Sequence, residues 1–254
     1  MTARRIVAGM LVALLAASMF LNVVLLQRFV RCYRALHMLC LDPTGASAFS
    51  VGTTPDEDGG GEPLVILLGD SRIAQWSPLP AVADCRVIDR GISGQTTALT
   101  LLRLERDVLT PRPRVVVVQI GINDLKLIGL FPERKRFIVE SCWRNIQELV
   151  DRMTAANIDV VLLTVFPPGP VGLLRTPVWS DDIVRCTDEI NNRMLRLNES
   201  RLTVVDCDSI LMLADGLRRE YARDTLHLTP SAYKALNRHL EPILQQLVCD
   251  YKTE

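Results

Sequence analysis

The stretch Leu64-Val-Ile-Leu-Leu-Gly-Asp-Ser71 decides the reading of this chain. Five apolar residues run into Gly69-Asp70-Ser71. A short apolar run closed by turn residues reads as a strand buried on both faces, as in a parallel sheet. In open α/β sheets the carboxyl ends of such strands border the ligand crevice. Ser71 is therefore placed where a hydroxyl can meet a substrate, although a serine in this position also commonly caps a helix.

Working outward, strand-like and helix-like segments alternate. Arg86–Asp89 reads as a second strand, ending in Arg90-Gly91-Ile92-Ser93-Gly94. Gln95–Leu109 has helical spacing, with Leu99, Leu102 and Leu109 inward and Arg103, Glu105, Arg106 and Asp107 on a wet face. Arg114–Ile120, with four valines, is the clearest strand, and it leads into Gly121-Ile-Asn123-Asp124. A helix over Glu133–Asn157, a strand over Asp159–Phe166, a Pro/Gly-rich loop over Pro167–Pro177 and a helix over Asp181–Ser200 follow. Leu202–Asp206 is the last strand, Ser209–Leu217 a short helix, and a final helix opens at Thr229-Pro230, with proline in its favoured first position. This alternation implies right-handed crossovers. The fold class expected is α/β: a flavodoxin-like three-layer sandwich around a five-stranded parallel sheet of order 2-1-3-4-5. Ser71, Gly91 and Asn123 then lie at the ends of neighbouring strands.

The chain has 254 residues, 48% hydrophobic and 23% charged. That fits one domain of roughly 200 residues with an extension. The net charge is zero and no long basic run occurs, which argues against a nucleic-acid partner. Residues 1–34 stand apart. Ile6–Gln27 carries no charge, and Arg4 and Arg5 precede it while Arg28, Arg31 and Arg34 follow. Ile6–Leu26 suffices to cross about 30 Å of hydrocarbon as a helix. The expectation is an uncleaved signal anchor with an extracytoplasmic domain; a cleaved signal, with Ala16-Ala17-Ser18 as the small residues, is the alternative. The flanking arginines barely discriminate orientation. Residues 35–62 are expected to form a juxtamembrane segment and flexible linker, rich in Gly, Pro, Ser and acidic residues towards its end. Residues 63–254 form the expected catalytic domain. Seven cysteines without C-x-x-C or zinc spacing read as free thiols.

An ester hydrolase needs a nucleophile, a base, a group that orients the base, and donors for an oxyanion. Of the three histidines, His37 flanks the apolar segment and His239 lies within the last helix. His227, in Asp224-Thr225-Leu226-His227, lies in a loop. Asp and His three apart across a turn can set the carboxylate against Nδ1 and leave Nε2 for a serine hydroxyl. The same pattern also arises by chance. Gly91 offers a backbone N–H and Asn123 an uncharged side-chain amide, and each also reads as a turn residue.

Gly69-Asp70-Ser71, Gly91, Gly121-Ile-Asn123-Asp124 and Asp224-x-x-His227 resemble the four blocks of the SGNH/GDSL hydrolases in their usual order. Arg90–Thr97 and Thr164–Pro168 also look like bacterial members. The resemblance spans roughly Leu64–Leu240. It implies a serine esterase or lipase with Ser71 as nucleophile, His227 as base and Asp224 as its partner. It also implies Ser71, Gly91 and Asn123 as oxyanion donors. The substrate implied is a small-molecule, lipid or glycan ester, with no metal and no cofactor. Arg72 stands where the family often has an apolar residue, and Asp89 where Asn often precedes the glycine. Arg72 is read here as a solvated helix-start arginine, with selection of the acyl or leaving group as the alternative. Pro167–Ser180 and Arg72–Asp84 are expected to line the acyl pocket. An α/β-hydrolase lacks its Gly-x-Ser-x-Gly elbow here, and a metallophosphoesterase lacks its ligands. Acyl transfer through the same residues, or an inactive binding module on the same fold, are the alternatives.

Overall fold

The computed structural model describes residues 2–45, 62–214 and 216–251. The chain divides into two units, one ending at Phe49 and one beginning at Ser50. The first contains helix α1, Thr2–Leu41. It continues past residue 34 because Ala35, Leu36, Met38 and Leu39 are good helix formers. Its stretch Ala3–Met38 is long and apolar enough to cross a membrane. The acidic, glycine-rich part of the expected linker, residues 46–61, lies outside the described residues.

The second unit is built on five parallel strands: β1 (Leu64–Gly69), β2 (Arg86–Gly91), β3 (Val115–Gln119), β4 (Asp159–Leu163) and β5 (Leu202–Val205). Their order is β2-β1-β3-β4-β5, as the sequence predicts. Every residue of β1, β3 and β4 is buried, which is why those strands read as unbroken apolar runs. Alternate side chains feed two cores. Leu64, Ile66, Leu68, Val116, Val118, Val160 and Leu162 join one core. It is shared with α3 (Thr97–Leu104), α5 (Lys135–Ala155) and α6 (Asp182–Met194). Val65, Leu67, Val115, Val117, Val161 and Leu163 face the other, shared with α8 (Pro230–Tyr251). The sheet is thus covered on both faces, giving three layers.

Three local readings change. The helix expected over Gln95–Leu109 is α3 followed by one π-helical turn, Glu105–Leu109. Two of its "wet-face" residues, Arg103 and Asp107, are buried and paired at 2.7 Å. Arg103 also donates to Arg90 O and Gly69 O, each at 2.8 Å. Burial of this cation is compensated by carbonyls at two strand ends, which a hydropathy pattern does not register. The third change is at Ser209–Leu217. Only α7 (Asp208–Leu211) is helical there; a small antiparallel pair, β6 (Met212–Leu213) and β7 (Gly216–Leu217), follows.

Candidate active site

Ser71 is the first residue of α2 (Ser71–Ala74), directly after β1. Asp70 caps this short helix, its Oδ1 accepting from Arg72 N–H at 2.8 Å. At the first helical position the Ser71 N–H has no intrahelical acceptor. The hydroxyl meets an imidazole directly: Ser71 Oγ and His227 Nε2 are 3.1 Å apart. On the other side of the ring, Nδ1 lies 2.8 Å from Asp224 Oδ2 and 3.0 Å from Oδ1. A hydroxyl, an imidazole and a carboxylate therefore form one hydrogen-bonded chain, with 156 residues of sequence between Ser71 and His227, the arrangement that activates a nucleophile.

The Asp224–His227 turn is fixed by its own backbone. Arg223 N–H donates to His227 O at 2.9 Å. Asp224 Oδ1 accepts from Leu226 N–H at 2.8 Å and from His227 N–H at 3.0 Å. Partial burial works to raise the Asp224 carboxyl, but the Leu226 N–H, the imidazole and the His227 N–H outweigh it and hold it at about 2. Asp224 is thus a carboxylate at any ordinary pH.

Arg72 is fully buried, not solvated. Its Nε donates to Leu226 O at 2.8 Å and its Nη1 to Phe166 O at 2.9 Å. The guanidinium lies 5.4 Å from the centre of the Phe166 ring. Tyr233 Oη donates to Arg72 O at 2.8 Å. One side chain thus ties α2 to the Asp224–His227 turn and to the segment that follows β4. Sequence reasoning missed this because two acceptors distant in sequence compensate the charge.

Asn123 lies in α4 (Ile122–Leu125), after β3, and is buried. Its amide is engaged: Nδ2 donates to Gln95 O at 2.9 Å and to Asp70 Oδ2 at 3.3 Å. Its Oδ1 accepts from Lys126 Nζ. Burial pushes the Asp70 carboxyl up, while Arg72, its N–H, Lys126 and His227 pull it back. The neighbouring Asp124 accepts from Thr97 Oγ1 at 2.6 Å and from Thr97 N–H at 2.9 Å, and burial raises it to about 6.

Gly91 departs from expectation. Ile92 N–H donates inward to Gly69 O at 3.0 Å, so in this parallel ladder Gly91 N–H points off the outer edge, away from β1. There it donates to Asp89 Oδ1 at 2.6 Å. Glycine is needed for a different reason: a Cβ would collide with the backbone of Ala74 in α2. Three residues on, Gly94 is exposed at φ +83°, in a turn closed by Gln95 N–H to Ile92 O at 3.3 Å. A Cβ there would meet nothing within 4 Å. Gly94 directly precedes Gln95, whose carbonyl holds Asn123. The Ser93-Gly94 pair is the turn signal that marks it in sequence.

The loop after β4 is pinned to the catalytic turn by Gly169 N–H to Thr225 O at 2.9 Å and Thr225 Oγ1 to Pro170 O at 2.8 Å. Beside Asn123 a cavity of about 400 Å³ is walled by Lys126, Leu130, Leu174, Arg175, Val178 and Trp179. The Pro167–Ser180 segment supplies four of these residues and Arg72–Asp84 none. Among the described residues no group of three or more His, Cys, Asp or Glu is arranged to hold a metal ion.

Residues 58–235 match the model of the GDSL-like Lipase/Acylhydrolase family. The chain is 25% identical over 211 residues to the isoamyl acetate-hydrolyzing esterase 1 homolog of Rattus norvegicus, spanning 73% of this chain and 83% of that one. The fold is shared with a GDSL-like lipase from Bacteroides thetaiotaomicron (TM-score 0.61, 21% identity, 81% of this chain and 96% of that one). It is also shared with a variant of an acetyl-xylooligosaccharide esterase from Geobacillus (TM-score 0.56, 22% identity, 74% and 94%). With seven-tenths of its length inside the family model, this chain belongs to the GDSL-like lipase/acylhydrolase family.

Proposed function

We propose that the chain is a serine ester hydrolase that cleaves carboxylic esters through an acyl-enzyme on Ser71. The observation that carries this is the continuous contact Ser71 Oγ–His227 Nε2–His227 Nδ1–Asp224 Oδ2, at 3.1 and 2.8 Å. His227 Nε2 takes the Ser71 proton as Oγ attacks the ester carbonyl, and returns it to the leaving alkoxide as the carbon–oxygen bond breaks. Water then attacks the acyl-enzyme with the same base, releasing the acid and freeing Ser71. Asp224 stays ionised, orients the ring and stabilises the imidazolium. The oxyanion is met by the Ser71 N–H, the Gly94 N–H and Asn123 Nδ2, which exchanges its long 3.3 Å contact with Asp70 for the substrate oxygen. Gly91 supports α2 from below and is not in this set. Transfer of the acyl group to another alcohol would use the same residues.

Helix α1 is assigned here as a membrane anchor, on the length and apolar character of Ala3–Met38. Residues 63–254 then act as a tethered catalytic domain outside the cytoplasm. The deciding experiment for the chemistry is covalent labelling with a fluorophosphonate, followed by peptide mapping. Wild type is expected to be labelled at Ser71 and Ser71→Ala not at all. Label at another serine, or near-normal ester turnover by Ser71→Ala, overturns the reading. For the anchor, high-salt washing of membranes is expected to leave the full chain bound with its own N-terminus; recovery of a chain beginning near Met19 means a cleaved signal.

A further inference from the structure

Two cations share the cavity beside Asn123. Lys126 is half-buried, bonded to Asn123 Oδ1, and within electrostatic reach of Asp70 and Asp124. Arg175 has no carboxylate partner among the described residues, and its charge is felt at Lys126 as a repulsion. The rest of the wall is hydrocarbon: Leu130, Leu174, Val178 and Trp179. Leu130, Leu174 and Val178 are exposed, so the cavity opens to solvent and a dissolved ligand can reach both cations. A guanidinium whose donors have no acceptor among the described residues presents a fork that matches a carboxylate or phosphate. The net charge of the whole chain is zero, so attraction for anions is local to this cavity and not a property of the protein's overall field. A volume of about 400 Å³ lies within the range of small-ligand sites.

We propose that this cavity selects esters carrying an anion, a carboxylate or phosphate, held by Arg175 with Lys126 behind it while the intervening hydrocarbon packs on Leu130, Val178 and Trp179. The inference rests on the esterase reading above and names the substrate class for that site. The anion can belong to the acyl group or to the alcohol, since Lys126 reaches the site through an oxyanion donor that both halves of an ester border.

The test compares matched esters on the full chain. For the acyl side the pair is 4-nitrophenyl hydrogen adipate and 4-nitrophenyl hexanoate; for the alcohol side it is 4-acetoxybenzoate and 4-acetoxybenzamide. At low ionic strength wild type is expected to favour the anionic member of at least one pair by about tenfold in kcat/KM. The preference should shrink as salt is raised. Arg175→Gln is expected to reduce that ratio at least fivefold, and Arg175→Lys to keep most of it. Ratios at or below one in both pairs, or a ratio that Arg175→Gln leaves intact, overturn the inference while the esterase reading stands. If wild type cleaves neither member of any pair, the esterase reading fails, and binding decides the inference separately. Tryptophan fluorescence, with Trp179→Phe as blank, should then show monomethyl adipate binding at least fivefold tighter than methyl hexanoate. Equal affinities overturn it.

Discussion

Arg72 and Leu226 are 154 residues apart in sequence, yet Arg72 Nε donates to Leu226 O at 2.8 Å. The residue after Ser71 thereby holds the peptide before His227. Ser71 approaches from α2 and His227 from a loop, and this bond ties the two segments together alongside Arg223 Nη2 to Gln75 Oε1 at 2.6 Å and the Ser71–His227 contact itself.

Replacing Arg72 with Met orphans the carbonyls of Leu226 and Phe166, at a cost of about 1–3 kcal/mol each. It also frees the catalytic turn to shift. A misplacement near 1 Å can cost about 10²-fold in rate. Arg72→Met is expected to lower kcat by about that factor, with KM changed less than threefold, and Arg72→Lys to recover part of it. Steady-state kinetics on folded protein checks this; an unchanged kcat means that the turn holds its own position.

Because neighbouring donors hold Asp224 at about 2, the pH–rate profile of kcat/KM should show no inflection from this carboxyl above pH ~3. Asp224→Asn is expected to lower the plateau by as much as about 10⁴-fold through the wrong imidazole tautomer. His227→Ala should abolish turnover, because no imidazole remains within 3.1 Å of Ser71 Oγ to take its proton. Near-normal turnover by His227→Ala would place the base elsewhere.

Gly91 and Gly94 should respond differently to alanine. At Gly91 the new Cβ collides with the Ala74 backbone, so α2 must move and Ser71 with it. Gly91→Ala is expected to lower both melting temperature and kcat. At Gly94 there is room, but φ +83° strains any side chain by about 1–2 kcal/mol. Gly94→Ala should therefore retain the fold and lose kcat about 10²-fold as its N–H turns from the oxyanion. Equal loss of stability in both variants would contradict this division.

Asp124 supplies a pH dependence of stability. Its folded value of about 6 lies above the ordinary 3.8, so the fold binds this proton more tightly than the unfolded chain does. The resulting stabilisation is fully present below about pH 4 and is lost as pH rises through 6. In Asp124→Asn, the fall in melting temperature between pH 4.5 and 7 is expected to be smaller than in wild type. Calorimetry at the two pH values measures it, and an equal fall in both proteins would mean that Asp124 does not carry the effect.

The strand order, and the proximity of Ser71, His227 and Asp224, were legible because their signals are local. β1 and β3 are apolar on both faces, and Asp-x-x-His lies within one turn. Arg72 and Arg103 were not legible. Each reads as solvated by type, and each is buried because carbonyls from separate segments converge on it. The donor role assigned to Gly91 failed for a geometric reason. Which N–H of a parallel strand points inward depends on register, and register is a property of the pair.

The bond from Gly91 N–H to Asp89 Oδ1 has a meaning for association. β2 is an outer strand of the sheet, and an outer strand exposes a row of N–H and C=O groups on which another chain can add itself. Here the last outward N–H is already satisfied by a carboxylate from its own strand, and a foreign strand approaching that end meets a negative charge. The sheet edge closest to the catalytic loops is therefore guarded against intermolecular pairing by the chain itself.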